Sequence, residues 1–451
     1  MRKNGGIRLV GAPYKLLRSK KKENMNTVKS TFSMGAALLC KLLTGLIAVK
    51  ICAYYLGVQK FGLSGQISSL ISIVTLLAGG GVATGLTKIY AAPEIHQEER
   101  QQWIKAAHIL AACTAVLLLL VFLFFKKEIE NRVLDESPYS SIIFFSVIAS
   151  IAPISLSAVA QGIINGNQKT GMYSRSLLLG SIIGIFGFLI LSFLFGARGS
   201  LCGLVWIQIA QALSFCLTAR AVKERAYASY FPILEFSRKV RFLLSFGLLS
   251  IVAGATIPLV YMYVRSLIIV HQGSSDLGIW QATVRLSEAY TQLPMLMLSV
   301  VFFPRFSSQA AQPLQWRQVW KAYGFILALM GLIGIFVSTT RNTLVHLLFT
   351  PEFQTVSDFV FWQISGDTFR MLSYVGTMIL AARGLVKLCI LAEFLQAALF
   401  GGISTGFIAN NIHAAPFASY LLTYVIYFLL TVFAVLYFCR QERYSNAPID
   451  R

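Results

Sequence analysis

The chain is 451 residues long, 56% hydrophobic and only 13% charged, with a mean hydropathy of +0.68 and a formal net charge of +21. Soluble domains carry about 25% charged residues, so this composition excludes a soluble globular protein and points to an all-α polytopic membrane protein. The basic excess lies between apolar runs, which is the pattern of membrane topology and not of nucleic-acid binding.

Residues 1–29 carry nine Lys and Arg but no apolar core of the kind a signal peptide needs, and read as a basic cytoplasmic leader. Runs long enough to cross about 30 Å of hydrocarbon then follow in two sets of six. Spans 1–6 fall at 30–56, 66–90, 102–125, 139–165, 171–195 and 200–222. Spans 7–12 fall at 241–270, 278–303, 318–340, 358–382, 385–410 and 414–438. The expected organisation is therefore a six-helix lobe over 30–222, a cytoplasmic loop over 223–240, a second six-helix lobe over 241–440 and a tail over 441–451. With the amino terminus inside, 28 basic residues fall in inner segments and six in outer ones, so the positive-inside rule places both termini in the cytoplasm.

Two equal sets with an even number of spans share an orientation, as in transporters built from parallel repeats. A spacing agrees with that pseudo-symmetry: Lys50 precedes Gln66 by 16 residues across the first outer turn, and Arg265 precedes Gln281 by the same 16 across the seventh-to-eighth turn. Pro153, Pro294 and the run Gly79-Gly80-Gly81 fall inside spans and suit helices that flex, although such residues also serve as packing devices.

The seven cysteines form no CxxC pair and the five histidines no HxxxH or HExxH spacing, so no disulfide framework, metal site or cofactor is expected, and no catalytic site is read. What carries function is a set of ionisable residues inside the spans. Each costs roughly 2.5–3.5 kcal/mol at the bilayer centre on insertion scales and must be sheltered by protein or water. Lys41 lies about 16 Å into span 1, near midplane, and Lys50 near its outer end. Lys50 can instead snorkel to the interface, and the two share a cavity only if span 1 bends, which Gly45 permits. Arg265 lies near the outer end of span 7; Arg285 and Glu288 lie in span 8, Asp367 and Arg370 in span 10, and Glu393 in span 11.

Arg285/Glu288 and Asp367/Arg370 are each three residues apart, the spacing of an intrahelical ion pair. They either neutralise one another for insertion or form sites where an anionic ligand competes with the carboxylate, a means of ion coupling. All buried acids lie in the second lobe, and the first offers only lysines. A cationic, midplane cavity suits phosphate or diphosphate on a partly apolar carrier. A major-facilitator transporter is disfavoured, because the segment after span 2 reads Gly85-Leu86-Thr87-Lys88-Ile89-Tyr90 and lacks that class's acidic-basic run.

At these residues the chain resembles the Wzx-type oligosaccharide-lipid flippases, nearest the branch serving enterobacterial common antigen, within the multidrug/oligosaccharidyl-lipid/polysaccharide exporter superfamily. The resembling stretches are Gly278-Ile279-Trp280-Gln281 with Ser287-Glu288-Ala289-Tyr290, then Trp362-Gln363 with Gly366-Asp367 and Arg370. Ile390-Leu391-Ala392-Glu393 and Tyr424-Val425-Ile426-Tyr427-Phe428 continue the series, which runs over about residues 25–440. The resemblance implies two lobes alternating access, and translocation of an undecaprenyl-diphosphate-linked oligosaccharide, lipid III or an O-antigen unit, across the bacterial inner membrane. It implies a substrate-binding set of Lys41, Lys50, Arg265 and Arg370, to which the residues add Arg285, with Glu288, Asp367 and Glu393 as matching acids. Arg285 departs from a small polar residue in that branch, which leaves the sugar open. Family members start near Met25, so residues 1–24 are expected to be dispensable. Other glycan-assembly membrane proteins are expected partners. The alternatives are a multidrug/cation antiporter of the same superfamily and a non-transporting scaffold of a glycan-assembly complex.

Overall fold

Inside hydrocarbon a chain must satisfy its own backbone hydrogen bonds, which favours continuous helices, and every long element here is one. The protein's computed structural model describes residues 12–91, 97–133, 139–220, 233–308, 314–412 and 414–445. Residues 1–11 of the expected leader, 221–222 of span 6, 223–232 of the expected inter-lobe loop and 446–451 of the expected tail lie outside the described residues, and 233–240 of that loop are helical.

Spans 1 and 2 form one element, α1 (Ala12–Ala91), broken at Gly57, whose φ of 60° and ψ of 178° leave the helical region. The helix begins at Ala12, inside the stretch expected as leader. Span 3 is α2 (Gln97–Phe124), followed by the short α3 (Lys126–Arg132), and span 4 is α4 (Ser140–Gly166). Spans 5 and 6 are again one element, α5 (Thr170–Arg220), broken at Gly196 with φ 56°. In the second half, α6 (Ile233–His271) holds span 7, and α7 (Ser274–Met297) holds span 8. Beyond α7 the helix widens into a π-helical turn at Leu298–Phe302, one turn after Pro294, and ends as α8 (Phe303–Ser308). A proline that removes an i→i−4 bond is a recognised cause of such a local break. Spans 9 to 12 are α9 (Trp316–Leu348), α10 (Val356–Ala382), α11 (Val386–Ala409) and α12 (Ala415–Ser445).

Among the described residues nine helices are long and apolar enough to cross a membrane. Two of them, α1 and α5, each hold two spans, and α10 has the length of a span but is interrupted by Asp367 and Arg370. Twelve spans result.

The pseudo-symmetry is written in the turns. The positive-φ residues Gly57, Gln168 and Gly196 of the first half recur as Gly273, Gly384 and Asn411 in the second, at a near-constant offset. Lys50 and Gln66 stand at the same offset from Arg265 and Gln281. Glycine enters the left-handed region without the Cβ penalty, and Asn at a smaller one than most residues, so the two sequences break their helices at matching places.

Two bundles follow. The first is centred on Phe61, Ile67, Phe144, Val147, Phe188 and Leu201, all fully buried. The second is centred on Val264, Trp280, Ile408, Tyr420 and Tyr427, with a further cluster around Met330, Met371 and Val375. Lipid tails are as apolar as Leu, so helix association here rests on close packing of small residues and on polar contacts. Span 2 shows both. A Cβ on Gly79 would lie 2.8 Å from the Ala158 Cβ of α4, and one on Gly81 would lie 2.1 Å from the Gly247 Cα of α6. The glycine run thus lets one helix pack into its own bundle and against the other.

Candidate functional site

A cavity of about 630 Å³ opens inside the first bundle, and every residue lining it comes from α1, α4 and α5 except Arg285 of α7. It reaches from Phe61, near the kink at Gly57, to Ala83 and Gln161 towards the opposite face. Its ionisable lining residues apart from Cys52 are Lys41 and Arg285, and no carboxylate lines it among the described residues. At the Gly57 face it is covered by an aromatic plug in which Phe61 meets Phe353 and Phe349 edge-on, at 5.2 and 5.9 Å between ring centroids. Phe349 and Phe353 stand at the α9–α10 connection, so the plug joins the two bundles.

Arg285 reaches across from the second bundle. Its Nη2 donates to the Ser68 Oγ and, at 3.4 Å, to the Ser64 carbonyl, both on span 2. Its Nη1 donates to the Glu288 Oε2 at 2.7 Å, so the expected three-residue ion pair forms. Glu288 keeps about half its side-chain surface exposed while Arg285 is largely covered. The guanidinium is therefore aimed into the cavity and held by a carboxylate that solvent or a ligand can reach.

Lys41 lines the same cavity and, unlike Arg285, makes no hydrogen bond or ion pair with a described residue. At 1.5 Å per residue it lies about 24 Å along span 1 from the Gly57 kink, while Ser68, which holds Arg285, lies about 16 Å along span 2. The two cations thus occupy different depths. Lys50 is elsewhere. The break in α1 is at Gly57 and not Gly45, so Lys50 points away from the cavity and donates to the carbonyls of His346 (3.0 Å) and Phe349 (2.7 Å). Those carbonyls close the C-terminal end of α9, where a cation also meets the negative end of the helix dipole.

Arg265 is buried, 4% exposed, in the seam between span 2 and α6. Its Nε donates to the Gln281 Oε1 at 3.0 Å and its Nη1 to the Ser69 Oγ at 2.8 Å, with the guanidinium 5.8 Å from the ring centroids of both Tyr261 and Trp280. The 16-residue spacing between Arg265 and Gln281 is thus a direct contact. Gly65 makes room for it, since a Cβ there would fall 2.1 Å from the Gln281 Oε1 and 2.7 Å from the Arg265 Nε.

Asp367 and Arg370 also pair, at 3.1 Å, but deep in the second bundle and outside the cavity lining. Asp367 is fully buried and its carboxylate is saturated. Oδ2 accepts from Ser287 and Tyr290, both at 2.6 Å, and Oδ1 accepts from Tyr420 at 2.7 Å. Arg370 donates further to the Thr291 Oγ1 at 3.2 Å. One carboxylate thereby ties α7, α10 and α12 together. Glu393 stands apart on α11, half-buried and without a hydrogen-bond or ion-pair partner among the described residues.

The structure therefore sorts the eight ionisable residues into a cavity pair (Lys41, Arg285 with Glu288), two inter-bundle clamps (Lys50, Arg265), one internal ion pair (Asp367, Arg370) and one lone acid (Glu393). Reading for charge alone passed over Gln161, Gln208 and Gln211, which line the cavity. Neutral amides inside apolar spans are themselves costly, so they carry the same signal more faintly. Of the hydroxyls that saturate Asp367, those of Ser287 and Tyr290 stood in the resembling stretch Ser287-Glu288-Ala289-Tyr290, whereas Tyr420 was passed over.

Comparisons with known proteins place the chain's family and fold. A family model described as "Polysaccharide biosynthesis protein" matches residues 27–309. The lipid III flippase of Escherichia coli (strain K12) is 24% identical over 408 residues, covering 90% of this chain and 97% of that protein. Among solved structures, an inward-facing MATE multidrug resistance transporter of the MOP superfamily superposes with a TM-score of 0.71 at 12% identity, over 89% of this chain and 96% of that one. The lipid II flippase MurJ, in an inward closed conformation, gives a TM-score of 0.71 at 16% identity over 89% and 87%. At these identities the structural likeness is one of fold.

Proposed function

The chain belongs to the polysaccharide biosynthesis protein family, and from that premise we propose that it is a flippase for an undecaprenyl-diphosphate-linked oligosaccharide in the bacterial inner membrane. The observation that carries the proposal is the cavity, whose lining offers Lys41 and Arg285 and no carboxylate. Such a lining attracts a phosphorylated headgroup and repels an organic cation. The lipid III flippase, matched over nearly its whole length, points to the same substrate class. A multidrug/cation antiporter shares the fold, but nothing in this cavity favours a cationic drug.

The positive-inside balance supports both termini in the cytoplasm. The Gly57 face is then periplasmic, and the aromatic plug with the Lys50 clamp closes that side. The cavity accepts the headgroup from the cytoplasmic leaflet while the polyprenyl chain stays in lipid. The substrate's phosphates compete with Glu288 for Arg285, and Lys41 holds negative charge nearer the cytoplasmic end of the first lobe. Lobes 30–222 and 241–440, joined through 223–240, then rock about the seam of span 2 and α6, the plug parts, and the headgroup is released outside. With the cytoplasm negative, each negative charge carried outward gains about 2.3 kcal/mol per 100 mV. No chemical step is needed, and the protein acts beside the glycan-assembly membrane proteins that make and use the substrate.

The test is reconstitution. Purified protein in proteoliposomes should move a polyprenyl-diphosphate oligosaccharide to the opposite leaflet, measured by a membrane-impermeant sugar-binding probe. Its gene's removal should accumulate a lipid-linked glycan inside the cell. Transport of a lipophilic cation with no movement of the glycolipid sinks the reading in favour of the antiporter.

A further inference from the structure

Five cavity-lining residues of the first bundle keep a hydrogen-bonding group open towards the cavity. Lys41 and Gln208, both exposed there, have no hydrogen-bond partner among the described residues. The Ser181 hydroxyl is 2% exposed, lines the cavity and is likewise unpartnered. Gln211 spends its amide nitrogen on the Ser176 carbonyl at 3.1 Å, and Gln161 spends its own on the Ser157 hydroxyl at 3.3 Å. Each thereby keeps its amide oxygen without a protein partner. Other lining hydroxyls are closed within their own helices: Ser64 donates to the Phe61 carbonyl, Ser68 to that of Ser64, Thr44 to that of Cys40 and Ser157 to that of Ile154.

Polar side chains inside a membrane bundle are normally satisfied within it. Donors and acceptors that α4, α5 and Lys41 leave open towards the cavity are available to a ligand. Three of the five lie at one depth, and Gln208 stands between them and Arg285. Counted at 1.5 Å per residue from Gly57 or Gly196, Lys41 is about 24 Å, Ser181 and Gln211 about 22 Å and Gln208 about 18 Å along their segments. Gln161 continues the face towards the opposite end, where α4 stops at Gly166. Amides present paired donors and acceptors, which suit vicinal hydroxyl and acetamido groups and do not suit a bare phosphate.

We propose that this amino-terminal wall is the glycan-recognition face of the cavity, with Gln161, Gln208, Gln211 and Ser181 determining which sugars are accepted and Lys41 reading a negative charge among them. The proposal rests on the flippase reading and adds a division of labour to it. Arg285 engages the diphosphate, and the wall of α4 and α5 engages the hydroxyl-rich headgroup beyond it. A site built to hydrogen-bond a ligand loses discrimination when its polar groups are replaced by apolar ones.

The experiment compares two ligands on purified full-length protein: farnesyl diphosphate, and a farnesyl-diphosphate-linked N-acetylhexosamine oligosaccharide. In the wild type the sugar-bearing ligand binds more tightly. Gln208→Leu and the double change Gln161→Leu/Gln208→Leu should lower its affinity by roughly tenfold more than that of the bare diphosphate. Arg285→Gln should weaken both ligands together. Binding of the bare diphosphate to the glutamine variants also shows that they are folded; if they bind neither ligand, Gln208→Asn, which keeps an amide, takes their place in the comparison. Equal losses on both ligands, or no loss, overturn the glycan wall and leave the flippase reading standing. A wild type that binds neither ligand overturns the flippase reading itself.

Discussion

The Lys50 ammonium of span 1 donates to the Phe349 carbonyl just beyond the end of α9, at 2.7 Å, and so pins the first bundle to the second at the Gly57 face. Hydrogen bonds to a charged group contribute about 1.5–3 kcal/mol, and the unpaired carbonyls of a helix end favour a cation. Lys50→Met removes this clamp and leaves the Phe61 plug and the Val58 N–H to Glu352 contact to hold the face. The expected outcome is a shift towards the state open at that face. Distances between spin labels on α3 and on the α9–α10 connection should broaden or lengthen. An unchanged distance distribution in lipid disproves the clamp.

Arg265 joins Ser69 of span 2 to Gln281 of α7, and its guanidinium lies against Tyr261 and Trp280. Truncation to Ala strands the Gln281 carbonyl and opens a void between aromatic rings, a loss on the order of 2–4 kcal/mol. Arg265→Lys keeps the charge but cannot bridge two partners with one planar fork. Both variants should insert in the membrane. Thermal stability should fall furthest for Arg265→Ala and less for Arg265→Lys, and transport should fall with it. If Arg265 were mainly a substrate cation, Arg265→Lys would keep transport near wild type, so the Lys variant decides between clamp and ligand.

Lys41 and Arg285 were both legible as cations inside spans, but their different situations were not. Glu288 accepts from the Nη1 of Arg285 at 2.7 Å and remains half exposed. Glu288→Gln removes the competing charge and should tighten binding of a polyprenyl diphosphate several-fold, with slower release and lower turnover. Lys41→Ala should abolish glycolipid movement at unchanged membrane level, and Lys41→Arg should restore part of it. A Glu288→Gln variant that binds the diphosphate more weakly contradicts competition at Arg285.

Which parts of this molecule the sequence disclosed follows from the range of the interactions. Span positions, the repeat and the two ion pairs are local: an apolar run, the shared Lys50–Gln66 and Arg265–Gln281 spacing, and partners three residues apart. The break at Gly57 falls where span 1 was expected to end, but that span 1 runs through Gly45 without one was not legible, because a glycine permits a bend without requiring it and tertiary packing decides. That choice turned Lys50 from a cavity residue into a clamp. The amide wall was missed because charge dominates insertion energetics, whereas Gln161, Gln208 and Gln211 become conspicuous only when α4 and α5 bring them to one surface. Glu393 was legible as an acid within a span, and no hydrogen bond or ion pair among the described residues gives it a role.

Asp367 is the point where the second bundle is most tightly determined. It accepts from Ser287, Tyr290 and Tyr420 and pairs with Arg370 at 3.1 Å, all without surface exposure of its own. Removing one member of a buried pair costs about 3–5 kcal/mol, because the partner is left charged and uncompensated. Asp367→Ala should therefore unfold at markedly lower temperature than the wild type. Asp367→Asn keeps an acceptor for the tyrosines and should lie between. Asp367→Asn/Arg370→Met removes the charge altogether and should recover stability relative to Asp367→Ala. Transport separates the two roles of the pair. If it only supports the bundle, the neutral double variant transports as well as its stability allows. If it couples an ion to the cycle, that variant stays stable, still binds the glycolipid, and loses the response of transport to an imposed proton or sodium gradient. Measured in proteoliposomes with and without that gradient, a response equal to wild type assigns Asp367 and Arg370 to structure alone.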